Sequence, residues 1–216
     1  MAERKLPNPA RRSQRSRQAI LNAAADLLGE VSYTELAVEA IAARAGVGKQ
    51  TIYRWWPDKG AVVLEAFLAL INAEGAVTFP DSGDIEADLK QAIRPTVEQL
   101  AGQRFGAAYR ALLTAIQGDA KLADELARRL VRPLLEATKD RLRAAQAVGQ
   151  IGNVNLDLAV ELLYGPLYYR WLLQIGTVSG EYSDAIVELA MRALRPQPGL
   201  EPGATRQPPA RRTRRS

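Results

Sequence analysis

Residues 38–57, V-E-A-I-A-A-R-A-G-V-G-K-Q-T-I-Y-R-W-W-P, constrain this chain more than any other stretch. They read as two short helices joined by a tight turn. The first runs from about Leu36 to Ala45 and carries Val38, Ile41, Ala42 and Ala45 at helical spacing. Gly46 ends it, because the chain there must turn left-handed. The second runs from Gly48 to about Trp55, and Pro57 stops it. Two such helices cross near a right angle only with a small residue where the axes meet, and Ala42 supplies it. Ile41, Ala45, Val47 and Ile52 supply the apolar wedges of the inner faces. This is the helix-turn-helix arrangement, whose second helix can lie in a major groove.

The outward positions of the second helix are then Gly48, Lys49, Gln50, Tyr53 and Arg54, none of them aliphatic. Lysine and arginine can read guanine, and glutamine can read adenine. Thr51 and Tyr53 offer hydroxyls to phosphate. Lys59 falls in the first turn of the next helix, where a cation opposes the helix dipole. A phosphate bound at that helix start would account for it. On the residues alone a second reading stays open: a helical hairpin with a solvated polar face.

The rest of the chain is patterned for helices. One is expected to start near Ser13 or Ser16 and to bury Ile20, Ala24, Leu27, Leu28 and Val31. Asp58 can cap a helix bearing Val62, Val63, Ala66, Phe67, Leu70 and Ile71. Residues 75–83, with two glycines and a proline, place a domain boundary. Behind it helices are expected over Asp84 to Ala101, kinked at Pro95, then Arg104 to Gln117 and a single long one from Asp119 to Val148. Asn155 to Ile175 and Tyr182 to Leu194 complete the set. No stretch alternates with period two. The fold class is therefore all-α: an N-terminal three-helix helix-turn-helix unit plus a larger C-terminal helical domain. The expected division is a disordered basic arm over 1–12, the helix-turn-helix domain with its linking helix over 13–74, the helical domain over 84–195 and a disordered basic tail over 196–216.

Composition narrows the function. Cysteine and histidine are both absent, so thiolate chemistry and the commonest metal ligand and general base are excluded. No metal site and no cofactor are expected. Carboxylate pairs such as Asp124 and Glu125, or Glu136 and Asp140, lie beside Arg128, Arg129, Lys139 and Arg141, where ion pairs on solvated helix faces are routine. An enzyme is not expected. The net charge of +5 is uneven: residues 1–18 carry +5 and residues 196–216 carry +4, while the body between is mildly acidic. Basic tails suit contact with a polyanion, and they equally suit mere solubility. No apolar run approaches the roughly 18 residues of a membrane span, and no apolar segment follows the basic start, so no membrane association and a cytoplasmic location are expected.

Residues 41–63, I-A-A-R-A-G-V-G-K-Q-T-I-Y-R-W-W-P-D-K-G-A-V-V, resemble the TetR family of bacterial repressors. The order of elements agrees: basic arm, capping helix, helix-turn-helix, linking helix, helical domain. The segment G-P-L-Y-Y-R-W at 165–171 is similar to a C-terminal helix of some members. Two positions depart from the family pattern. Ala37 stands where Ser or Thr usually caps the first reading-unit helix, with Thr34 as a substitute, and Gly48 stands where Ser usually follows A-G-V. The resemblance implies double-stranded DNA as partner, with Lys49, Gln50 and Arg54 reading bases and Thr51, Tyr53, Trp55 and Lys59 positioning phosphates. For Trp55 packing is an equal alternative; Trp56 is assigned to packing. Arg11, Arg12, Arg15 and Arg17 could reach along the duplex.

The resemblance further implies a homodimer through the last two helices. Leu156, Ala159, Val160, Leu163, Leu167, Leu172 and Leu173 make the first of them apolar on more than one face, which predicts burial all round. Ile186, Val187, Leu189, Ala190 and Leu194 give its companion. An unknown small-molecule effector is implied, in a pocket with Phe105, Tyr109, Leu112, Leu113, Ile116, Tyr164, Tyr168 and Trp171 as candidates; aromatic residues at this spacing also serve as plain core. The expected function is a transcriptional repressor released from its operator by that effector. The alternative is an architectural DNA-binding protein without effector, for which the apolar C-terminal domain is larger than needed.

Overall fold

A computed structural model describes residues 9–74 and 79–196. The expected tail over 196–216 lies, from residue 197 on, outside the described residues, as do residues 1–8 of the arm and 75–78 of the boundary. Among the described residues the order is α1 (Pro9–Leu28), α2 (Val38–Ala45), α3 (Lys49–Tyr53), α4 (Lys59–Glu74), α5 (Ile85–Ala101), α6 (Gln103–Ile116), α7 (Ala120–Leu126), a π turn (Ala127–Val131), α8 (Arg132–Ala147), α9 (Leu156–Leu172) and α10 (Gly180–Leu194).

Side-chain caps set five of the described helix starts. Asp58 accepts from the Ala61 N–H at 2.8 Å, Asp84 from Glu86 and Ala87, Asp119 from Leu122, Asn155 from Asp157 and Leu158, and Ser179 from Tyr182. Two expectations are corrected. Helix α1 starts at Pro9, earlier than either serine; proline suits a first turn, where its missing N–H has no helical partner. The single long helix over 119–148 is interrupted. Pro133 has no N–H to give and its ring would press on the carbonyl four residues back. The chain widens just before it into the π turn, with the Arg132 N–H reaching the Ala127 carbonyl.

Helix α1 packs between α2 and α4. Its Ile20, Ala24 and Leu28 meet Ile41 and Ile52 in one core with Trp56, Val62, Val63 and Phe67. The same core continues through α6 into the C-terminal helices, because α1 and α4 both lie against α6. On the far side α5 packs along α10. Gly106 lets α6 start against the end of α5: a Cβ there would stand 2.6 Å from the Leu100 carbonyl oxygen. That carbonyl accepts the Trp171 indole N–H at 2.8 Å, tying α9 to the same corner.

Among the described residues one ion pair is wholly interior. Asp88 on α5 is 1% exposed and Arg141 on α8 is 6% exposed. Arg141 Nε donates to Asp88 Oδ2 at 3.0 Å and to the Pro80 carbonyl at 3.0 Å, and Ser82 donates its hydroxyl to Asp88 at 2.6 Å. These bonds fix the segment that leads into α5.

Candidate nucleic-acid interface and ligand cavity

The turn between α2 and α3 follows from its residues. Gly46 sits at φ 65°, ψ 34°, so the Val47 N–H can return to the Ala42 carbonyl at 3.0 Å and close α2. Ile41, Ala42 and Ile52 are buried and Ala45 and Val47 pack at the core edge. Thr34 does not cap α2: its hydroxyl pairs with Ser32, and Ala37 at the N-cap offers no side-chain acceptor. The preceding loop is held instead by Glu35, which accepts from the Ser32 N–H and hydroxyl.

Around α3, Lys49, Gln50, Tyr53, Arg54 and Trp55 are exposed on one side and Thr51 is half-buried. Lys49 is ion-paired with Glu39 of α2, which holds its ammonium above its ordinary pKa through the side-chain hydrogen bond. Trp56 is 4% exposed and lies under the Arg17 guanidinium, 5.7 Å from the ring centroid. Trp55 tilts against Trp56 at 6.4 Å and keeps 38% of its surface in solvent. Arg15 is exposed on α1, whereas the side chains of Arg11 and Arg12 lie outside the described residues.

Lys59 has work inside the chain that its sequence position concealed. Its ammonium donates to the Tyr33 carbonyl at 2.7 Å and the Leu36 carbonyl at 2.9 Å, and stands 4.3 Å from the Tyr33 ring centroid. Burial lowers its pKa from the ordinary lysine value. The cation at the start of α4 is thereby balanced by two carbonyls and a ring face, and it anchors the loop that leads into α2.

Between α4, α5, α6, α8 and α9 lies a cavity of about 480 Å³. Phe105, Tyr109, Leu113, Tyr164 and Tyr168 line it as expected. Leu112, Ile116 and Trp171 do not. Leu112 is fully buried against neighbours, Ile116 lies on the core edge, and Trp171 spends its N–H on Leu100 and stacks on Tyr109 at 5.6 Å. Phe67 and Ile71 of α4 form a wall that sequence reasoning missed, as do Leu130, Val131, Pro133, Leu134 and Leu135 of the π turn and α8. The half-burial of Leu130, Leu134 and Leu135 is explained by this empty side. Phe67 stacks on Tyr109 at 4.7 Å, so α4 touches the aromatic cluster directly. The Tyr164 hydroxyl pairs with Thr138 at 3.2 Å, and burial pushes its pKa up to about 12 and that of Tyr168 well above its ordinary value. Both stay neutral at physiological pH.

A second cavity of about 450 Å³ separates the helix-turn-helix from α7, with Arg17, Trp55, Trp56 and Glu65 on one side and Asp119, Lys121, Glu125 and Arg129 on the other.

Helix α9 is not buried all round in the single chain. Ala159, Val160, Leu163 and Leu167 face the core, but Leu158, Leu162, Tyr169, Leu172 and Leu173 are exposed, with Leu189 of α10. Leu158, Leu162, Gly165, Tyr169 and Leu172 recur every three or four residues, so they form one apolar stripe.

Comparison with known proteins agrees with this architecture. Residues 20–66 match the model of bacterial regulatory proteins of the tetR family, and residues 79–190 match the tetracyclin repressor-like C-terminal domain. The uncharacterized HTH-type transcriptional regulator YdeS of Bacillus subtilis (strain 168) is 33% identical, covering 85% of this chain and 91% of its own. The DNA-binding transcriptional repressor TetR of Mycobacteroides abscessus is 28% identical over 78% of this chain and 86% of its own. A crystal structure of a TetR family transcription regulator superposes with a TM-score of 0.62 at 31% identity, covering 84% of this chain and 99% of that one. The transcriptional regulator FadR of Bacillus subtilis, solved in complex with stearoyl-CoA, shares the fold with a TM-score of 0.66 at 18% identity, covering 82% of this chain and 99% of that one. The family consists of transcriptional regulators and not of enzymes. With a helix-turn-helix exposing lysine, glutamine and arginine and a helical domain closed around a cavity, this chain belongs to the TetR family of DNA-binding transcriptional regulators.

Proposed function

We propose that this regulator is a cytoplasmic homodimeric repressor released from its operator by a small, largely apolar molecule held in the cavity beside α4. One observation carries this reading. Helix α4 walls the cavity with Phe67 and Ile71, and its first residue, Lys59, ties down the loop before α2. A ligand that pushes α4 moves the base of the reading unit. The ligand shifts the population only by favouring a dimer whose two α3 helices are wrongly spaced for the duplex.

Lys49, Gln50 and Arg54 are the base readers in this proposal, and Thr51, Tyr53 and Trp55 hold phosphates. Lys49 must exchange Glu39 for a base edge on binding. Lys59 acts by positioning, since its ammonium is already engaged, and its helix start leaves the phosphate to backbone N–H groups. Selection of bound duplexes from a random pool tests the core of it. A two-fold symmetric motif with half-sites about one helical turn apart is expected; recovery of DNA with no motif would favour a non-specific binder. With that motif as probe, Lys49→Ala and Gln50→Ala each relax preference at particular bases by about 1–3 kcal/mol, while Lys59→Ala weakens all sequences alike. Unchanged base preference in both of the first two variants would remove them as readers.

A further inference from the structure

We infer that the cavity ligand carries an anionic group, taken by Arg129, and that this charge reaches the DNA-binding domain by loosening Arg129 from Glu65. The inference rests on the cavity being the effector site. The cavity is walled mainly by hydrocarbon and aromatic rings. Its polar members are neutral amides and hydroxyls, and among the described residues that line it Arg129 bears the only charge. Among those described residues none is a carboxylate that could greet a cation. An amphipathic molecule therefore finds solvation for its apolar part everywhere and an ionic partner at one place only.

Arg129 does not wait idle. Its Nη2 donates to Glu65 Oε1 at 2.5 Å, and Glu65 Oε2 accepts from Arg17 Nη2 at 2.5 Å. Arg17 in turn lies over Trp56, the residue that follows α3 by a single turn. Glu65 on α4 thus joins the π turn of the effector domain to α1 of the DNA-binding domain. Arg129 also borders the second cavity, the one between the two domains. It stands in the partition between the effector site and the reading unit.

A carboxylate in the cavity shares the guanidinium with Glu65. Two anions on one cation repel, and both contacts lengthen. Arg129 sits on the π turn with a third of its side chain open to solvent, so it can change rotamer without moving α8. A neutral ligand of the same shape leaves the Glu65 bridge in place.

The test uses the intact protein and carboxylates of eight to twelve carbons, straight-chain and phenyl-terminated, each beside the alcohol of the same skeleton. Affinities are read by calorimetry, and release by competition with the selected duplex. The acids are expected to bind about tenfold or more tightly than their alcohols and to release DNA. In Arg129→Gln, whose side chain is one-third exposed in the native protein and so should not disturb the fold, that preference disappears while alcohol binding holds. In Glu65→Gln acid binding tightens. Equal binding of acids and alcohols, or a preference that survives in Arg129→Gln, overturns the charge inference and leaves the cavity reading standing. Failure of every skeleton to bind overturns both.

Discussion

Leu162→Asp is expected to convert the protein to a monomer and to lower its affinity for the two-fold operator at least about 10³-fold, toward non-specific binding. Leu162 is 42% exposed and sits mid-stripe on α9, between Leu158 and Gly165. Seven large apolar side chains on and just after α9 and on α10 are open to solvent in one chain, among them Leu158, Tyr169, Leu173 and Leu189. About half of each side chain is still open, so each would gain roughly 1–2 kcal/mol if buried against a second copy. A carboxylate at the centre of that face must be desolvated without a partner. The monomer itself loses less, because position 162 is already partly open to water in the single chain. Sedimentation separates the cases: a monomer with unchanged helical circular dichroism is the expected result. A Leu162→Asp protein that remains dimeric at micromolar concentration would place the dimer contact elsewhere.

Asp88→Ala carries the largest expected cost to the fold, about 3 kcal/mol, because it leaves the buried Arg141 guanidinium only the Pro80 carbonyl and the exposed Asp81 carboxylate as partners. Urea denaturation reads the loss directly. The double variant Asp88→Ala, Arg141→Met recovers part of it, since an apolar pair of similar bulk needs no solvation. Acid has a parallel effect. Burial alone would raise the Asp88 carboxyl, but the Ser82 and Arg141 donors outweigh it and hold it below its ordinary 3.8. A carboxylate lowered by folding stabilises the native state at all pH above its unfolded value. That contribution fades as pH falls below about 4, through the folded value. The wild-type protein is therefore expected to lose stability over that acid window, with a shallower slope in the double variant. Equal acid slopes in the two would assign the acid sensitivity to other carboxylates.

The reading unit was legible because its logic is local. Ala42, Gly46, Ile52 and Pro57 state a crossing, a turn, a wedge and a stop within sixteen residues; in the structure Gly46 makes the left-handed turn, Ala42 and Ile52 are buried, and α3 ends at Tyr53, four residues before Pro57. What escaped were features made by residues far apart. Arg141 meets Asp88 across 53 positions and Pro80 across 61. The ammonium of Lys59 finds carbonyls 23 and 26 residues earlier. Charge and helix position suggested a phosphate for Lys59, and neither can reveal a neighbour brought in by packing. The cavity was half legible for the same reason. Tyr109, Tyr164 and Tyr168 stood out by type, whereas Phe67 and Leu130 look like ordinary core until α4 and the π turn are seen to face one another. Helix α9 shows the same limit: an apolar sequence marks what must be covered, and only the fold shows that Leu158, Leu162 and Leu172 are the side chains left open in the single chain.

The π turn also sets how the lineage of this protein can lose or gain residues. A helix advances about 100° per residue, so deleting one residue between Ala127 and Val131 would straighten the rod and at the same time rotate α7 about its axis relative to α8. Leu122 and Leu126, now in the core, would swing toward solvent, and Arg129 would leave the reach of Glu65. Length at this spot is as much a specified quantity as residue identity. Sequence drift here should proceed by exchange of side chains, while insertions and deletions collect in the loops.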